Sequence, residues 1–338
     1  MKADGKKCSH TGFWIALTLL VLALAGSVLL NLGLAAGLAA RGMAPRTPAR
    51  RGGEDEFPAL REIHSRGAGP VKAARIQVGG VIVRQSGGGL FSPITDLTQS
   101  ILDQIRVAKQ DDAVQALLIE VDSPGGAITP VDEIHRALTA FRESRPDRRV
   151  VVYVRDMAAS GGYYIAVAGD RIIAEPTALV GSISVILQTL NWHELSERIG
   201  VRDTTIKSGR NKDLLNPFRE VDAEQVALLQ DVVDHLHERF AGHVRQGRGL
   251  SAEALGSLAD GRILTSAEAL EHRLIDRIGS HADALDLVHE LLETDRVKFV
   301  RYERTQRFSD WLARLRTPIQ WDVLSPIRPP RFAYLWQP

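Results

Sequence analysis

A single cysteine, Cys8, occurs in 338 residues, which excludes an internal disulfide framework. Cys8 sits inside a charged N-terminus without a clear lipoprotein cleavage context, so it reads as a spare thiol rather than a lipidation site. The metal-binding spacings HExxH and CxxC are missing, which removes two common routes to a metal centre. GxSxG is missing too, which disfavours an ordinary α/β-hydrolase nucleophile elbow. Neither sign of charge is in excess: 42 Lys and Arg face 41 Asp and Glu, and a net +1 gives no case for nucleic-acid binding. No short-period repeat is present. With 44% apolar and 25% charged residues, the composition is that of an ordinary globular chain, long enough for one large or two modest domains.

What is present begins with a long hydrophobic run. Residues 13–40 carry no charge, with Lys2, Lys6 and Lys7 before them and Arg41 after. The run exceeds both the ~20 residues that span a bilayer and the h-region of a secretory signal. A helix also satisfies its own backbone in lipid. The expectation is an uncleaved anchor over 13–40, with residues 1–12 cytoplasmic and the bulk of the chain translocated. A cleaved signal peptide, favoured by small residues at 36–40, is the rival. Residues 41–72, rich in Pro, Gly and charge, read as a linker with a short helix around Leu60.

From Ala73 apolar runs alternate with helical spacing, which predicts α/β layers with mainly parallel strands. Strands are expected over 73–84, 113–122, 148–155 and 171–176. Helices are expected over 94–110, 130–144 (with Pro130 in the first turn), after Ser160, and over 222–246 and 281–293.

Two turns carry the chemistry. DSPGGAI (122–128) follows a buried strand, and its glycines expose N–H groups and allow close backbone approach. By itself it is only a tight strand-to-helix turn. MAASGGYY (157–164) also follows a buried strand, so both turns should share one edge of the sheet, where α/β folds place their sites. Ser160 is then either a helix cap or a nucleophile, with the Gly161 and Gly162 amides open to a developing oxyanion. A nucleophilic serine needs a base. His235, His237 and His243 read as a solvated helix face. Lys207 and Lys212, in IKSGRNKDLLNPFRE (206–220), remain, each of which composition alone would make an exposed loop lysine. A lysine serves as a base when desolvation keeps it neutral.

DSPGG, MAASGGYYIAVAGDRIIAEPTALVGSISV and IKSGRNKDLLNPFRE together resemble the signature blocks of the signal peptide peptidase A family, in register from about residue 73 to 295. These are membrane-anchored serine–lysine proteases with a fold related to Clp protease and crotonase. The resemblance implies an α/β fold of Clp protease/crotonase-like stacked β-α units, here as a peptidase domain over 73–300. It implies Ser160 as nucleophile and Lys212, in the K-x-G-x-x-K-D pattern, as general base, with Lys207 not the base. The backbone N–H groups of Gly126 and Gly161 become oxyanion donors, and Ser182 orients the base. It further implies a ring-like homo-oligomer whose sites are shared between subunits, peptide substrates such as cleaved signal peptides, and no cofactor or metal.

The resulting expectation is a single-pass serine endopeptidase of the bacterial inner membrane, in contact with lipid, its catalytic domain extracytoplasmic, acting on remnant signal peptides or similar apolar peptides. Two alternatives use the same fold. One is an inactive membrane scaffold, which loss of Ser160 or Lys212 would mark. The other is a crotonase-like acyl-CoA enzyme, which the anchor's orientation opposes. The long linker and the tail over 301–338 depart from that family's pattern. The tail holds seven aromatics and seven arginines against three acidic residues. This tail is expected either to pack on the domain or to lie at a lipid interface through Phe308, Trp311, Leu312 and Leu315.

Overall fold

The computed structural model describes residues 60–84, 96–304 and 332–336, and positions 18–22, 24–29 and 31–32 near the N-terminus. Those N-terminal positions are helical and exposed. The rest of the expected anchor lies outside the described residues, and among the described residues no helix is long and apolar enough to cross a membrane. The chain divides into two units, Met1–Glu56 and Phe57–Pro338.

The second unit is built on a mixed sheet, with nine strands among the described residues. In chain order its strands are β1 (Leu60–Arg66), β2 (Val71–Gly79), β3 (Val114–Ser123), β5 (Arg149–Ala159), β6 (Arg171–Ala174), β7 (Leu179–Gly181), β9 (Ile263–Thr265), β10 (Arg277–Ile278) and β11 (Val297–Arg304). Three short strands, β4 (Gly125–Ala127), β8 (Ile186–Leu187) and β12 (Phe332–Leu335), form a second sheet. The main order is β1-β11-β2-β3-β5-β6-β10, with β7 added to β5 and β9 to β7. β2, β3, β5 and β6 run parallel.

β3 shows why. Leu117, Leu118, Ile119 and Val121 are all buried, so both faces of the strand are covered, as a parallel sheet requires. Each such side chain contributes about 1.5–3 kcal/mol by leaving water. Helix α1 (Leu97–Gln110), capped by Asp96, and α2 (Ile128–Arg142) put Ile101, Ile105, Ile134 and Leu138 into one core cluster. Helix α3 (Gly161–Ala166) follows β5, and the short α4 (His193–Ile199) follows β8. Helix α5 (Ala223–Arg248), the short α6 (Ala252–Gly256) and α7 (Ser266–Glu271), and α8 (His281–Leu292) complete the unit. On the opposite face, Leu285 and Val288 of α8 meet Leu118, Val151 and Phe299.

Two expectations need correction here. No helix forms around Leu60. Residues 60–66 are β1, paired antiparallel with β11, so the folded unit starts inside the stretch expected to be linker. The charges of LREIHSR hid the strand, because edge position lets them face water while only part of β1 is covered. The three histidines of α5 are not one solvated face. His235 is exposed, but His237 and His243 are half-buried, next to the stripe of Leu236, Phe240 and Val244 that packs on the core.

Candidate active site

β3 and β5 are parallel neighbours, with Ser123 opposite Ala158, so the two turns that follow them meet at one edge. In the first turn Ser123 Oγ donates to Gly80 O at 2.7 Å and accepts from Gly125 N at 3.0 Å. Gly125 then takes φ +103°, a conformation side chains rarely adopt. A Cβ on Gly126 would lie 1.9 Å from Ile82 O. Only glycine fits, because the segment around Ile82 runs directly alongside: Ile82 N donates to Gly125 O and Ala127 N to Ile82 O, both at 2.8 Å. Since Gly125 and Ala127 use their groups toward Ile82, alternation along the strand turns the Gly126 N–H to the other side.

The second turn places Ser160 at φ 51°, ψ −113°, a strained conformation that costs a non-glycine residue about 1–3 kcal/mol. Its backbone is held at both ends: Ser160 N donates to Gly181 O at 2.7 Å, and Tyr164 N donates to Ser160 O at 2.9 Å. Ser160 is the residue before α3, yet its side chain caps nothing. Its Oγ lies 3.4 Å from Ser184 O, too long for a strong hydroxyl bond. The cap reading therefore fails, and the hydroxyl is left with that one long contact. Ser182 comes off β7, the neighbour of β5. It too has positive φ, is buried, and donates its N–H to Arg262 O at 2.7 Å.

The structure thus gathers Gly126, Ser160, Gly161 and Ser182, but not Lys212. Lys212 is exposed on a 3-10 turn (Arg210–Asp213), and no hydrogen bond joins its side chain to Ser160 among the described residues. Lys207 is committed elsewhere: its Nζ donates to Arg210 O at 2.9 Å and pairs with Asp213, whose carboxyl that bond holds below the usual range.

Sequence reasoning missed one component altogether. β12 lies between β4 and β8, antiparallel to both, with Tyr334 opposite Gly126 and Ala333 opposite Ile186. Of the two expectations for the tail, packing on the domain holds for 332–336; the Phe308–Leu315 stretch lies outside the described residues. Tyr334 is fully buried. Its ring stacks on Tyr164 and meets Phe240, both at 5.0 Å, and its hydroxyl donates to Leu236 O at 2.9 Å. Tyr164 in turn donates to Asp132 at 2.7 Å, which Arg239 also holds at 2.6 Å. Burial opposes ionisation of Asp132, but these two hydrogen bonds keep its carboxyl below the usual range. Only a pairing of tail aromatics with those of 163–164 and 240 could have signalled this pocket, and pairing across such separations is not legible in one sequence.

The family comparisons agree with this architecture. A Clp protease family model matches residues 81–189, so the β-α units that carry Gly126 and Ser160 are Clp protease-like. A second model, peptidase family S49, matches residues 142–295. A provisionally named signal peptide peptidase SppA of Enterococcus faecium is 35% identical over 253 residues, which is 74% of this chain and 73% of that protein. A provisionally named protease of Methanocaldococcus jannaschii is 31% identical over 64% of this chain and 68% of its own length. The chloroplastic serine protease SPPA of Arabidopsis thaliana is 29% identical over 64% of this chain, though this covers only 32% of the plant protein. The chain belongs to peptidase family S49, the signal peptide peptidase A family, and is a peptidase of the serine type.

Proposed function

We propose that this chain is a membrane-anchored serine endopeptidase working through a Ser160–Lys212 dyad on extended, largely apolar peptides such as remnant signal peptides. The observation that carries the reading is Ser160 itself. It is a strained serine whose side chain caps nothing, in the turn after β5 that runs beside the glycine turn after β3. Ser160 Oγ attacks the peptide carbonyl, the Gly126 and Gly161 amides take the oxyanion, and neutral Lys212 accepts the serine proton and passes it to the leaving amine. Ser182 orients the lysine.

Lys212 reaches Ser160 from a neighbouring subunit. Support comes from its exposure and from the exposed apolar residues of the segment that leads to it: Leu195, Ile199, Val201 and Ile206 are exposed, Ile206 at 97%. Closing such a surface against a second copy would cover the lysine and favour its neutral form. The uncharged run over 13–40 supports a single-pass anchor in the bacterial inner membrane with the catalytic domain outside the cytoplasm. A fluorogenic apolar peptide should be hydrolysed by the wild-type chain and not by Ser160→Ala. Equal hydrolysis by the two would remove Ser160 from the mechanism.

A further inference from the structure

An oxyanion site needs two amides at a fixed spacing, yet here they belong to different segments. Gly126 lies in β4, directly before α2, and Gly161 is the first residue of α3. The two segments touch. A Cβ on Gly125 would lie 2.6 Å from Gly161 N, and a Cβ on Gly161 would lie 2.8 Å from a methyl of Val131 in the first turn of α2. The spacing of the amides therefore follows the seating of α3 on α2. Apolar contact is non-directional, so a directed bond adds precision that packing lacks. Such a bond is present. Tyr164 Oη on α3 donates to Asp132 Oδ1 on α2 at 2.7 Å. The same oxygen accepts from Arg239 Nη2 of α5 at 2.6 Å, and Oδ2 accepts from Arg136 Nε at 2.9 Å. Tyr164 is fully buried. Burial, followed by the bond to Asp132, raises its phenol above the usual range, so it keeps the proton it donates.

We propose that Asp132 is a positioning residue for the peptidase reaction: through Tyr164 it seats α3 on α2 and so sets the spacing of the Gly126 and Gly161 N–H groups around the oxyanion. The inference rests on the Ser160 peptidase reading. The role needs a carboxylate. Tyr164, Arg239 and Arg136 all donate here, and an ionised Asp132 offers oxygens that only accept. Charge-assisted bonds of this kind are shorter than neutral ones and about twice as strong. Asparagine would turn an amide NH₂ toward one of these donors. The reach to the site is short, because Gly161 precedes Tyr164 by less than one helical turn, so a displacement at Tyr164 carries to the Gly161 amide. Oxyanion donors work at roughly 2.7–3.1 Å, and the charge they serve develops only in the transition state. Loosening them therefore slows the chemical step and leaves substrate binding in place.

The test uses the full-length chain, a fluorogenic apolar peptide, and a peptide aldehyde of the same sequence. Ser160 Oγ bonds to the aldehyde carbon, the C=O electron pair moves onto the oxygen facing the two amides, and Lys212 takes the serine proton. The aldehyde therefore reports on the oxyanion site without turnover. Tyr164→Phe keeps the ring and deletes the bond, and Asp132→Asn keeps the shape and deletes the charge. Each should lower kcat about tenfold and weaken the aldehyde by a similar factor, with KM within about twofold of wild type. The double variant should lose no more than about twofold beyond either single one, since both changes act on one bond. Rates are taken per folded chain, from the melting curve of each variant, so a folding defect alone would leave corrected kcat and aldehyde affinity at wild-type values and overturn the inference. Unchanged kcat in both single variants, a loss confined to KM, or losses that multiply in the double variant would overturn it too. Failure of the peptidase reading looks different: the wild-type chain would then neither hydrolyse the peptide nor bind the aldehyde more tightly than Ser160→Ala does.

Discussion

The two arms of the proposed site differ in how finished they are. The serine arm, from Met157 to Tyr164, is buried from Ala158 onward, strained at Ser160 and tied by a short backbone bond from Ser160 N to Gly181 O of β7. The lysine arm, from Leu190 to Val226, exposes Leu190, Trp192, Leu195, Ile199, Val201, Ile206, Val221 and Val226 to water. One chain can afford strain at Ser160 because a packed core surrounds it. Among the described residues the lysine arm has few buried apolar side chains of its own, and the proposed pairing with a second copy would cover those it exposes.

The strongest way to break this comparison is to mix inactive chains. Ser160→Ala and Lys212→Ala should each lose at least about 10³-fold in kcat, as removal of dyad members does. Lys207→Ala should be much milder, because Lys207 serves Arg210 and Asp213. Co-assembled Ser160→Ala and Lys212→Ala chains should recover measurable hydrolysis, since some interfaces pair an intact serine with an intact lysine. No recovery from demonstrated mixed oligomers would place both residues in one subunit.

Glycines separate the arms next. Gly126→Ala drives a Cβ to 1.9 Å from Ile82 O, so it should displace an oxyanion donor, lower kcat by about 10²–10³ and reduce the melting temperature. Gly209→Ala, in the lysine arm, meets nothing within 4 Å, and its φ of −131° is open to any residue. Its stability should stay within about 0.5 kcal/mol of wild type, with a correspondingly small change in melting temperature. A smaller stability loss at Gly126 than at Gly209 would reverse the assignment of rigid and unfinished arms.

Assembly follows. Ile206→Asp places a charge at a position 97% exposed, so folding of the single chain should be untouched. Sedimentation should show a shift toward smaller species, and activity should fall with it. An unchanged oligomer with unchanged activity would mean that this face stays in water.

The two arms were also unequally legible. β3 and β5 announce themselves as continuous apolar runs, and DSPGG and AASGG locate the sheet edge, because strand burial and glycine turns are local properties. Helix boundaries fell within a few residues: 94–110 was expected and Leu97–Gln110 forms, where Asp96 caps the first turn. β1 was hidden because edge strands tolerate charge. The Tyr334 pocket was hidden because it joins α2, α3, α5 and the tail, and no local pattern encodes which distant aromatics meet. Lys212 could be named from a motif, but its distance from Ser160 within one chain could not.

The smallest effect lies beneath the serine arm, where α2 and α5 bring His135 and His243 to 4.4 Å between ring centroids. Burial, reinforced by the neighbouring His243, lowers the His135 pKa from 6.5 to about 3. Asp132 pulls the other way, while Arg142 and Arg239 add to the depression. Among the described residues His135 Nδ1 has no hydrogen-bond partner, so the folded protein has little with which to stabilise a second ring proton. The unfolded chain takes up that proton below pH ~6.5, whereas the folded chain resists until about 3. Between those values the unfolded state binds more protons, so stability rises with pH and falls on acidification. At pH 5 the loss is about 2 kcal/mol, from roughly 1.5 pH units at 1.36 kcal/mol each. His135→Gln removes the titration. Its melting temperature should therefore fall less than that of the wild type between pH 7.5 and 5, a window above the range in which most carboxylates titrate. An equal fall in both proteins would mean that His135 is not the acid-sensitive group under the serine arm.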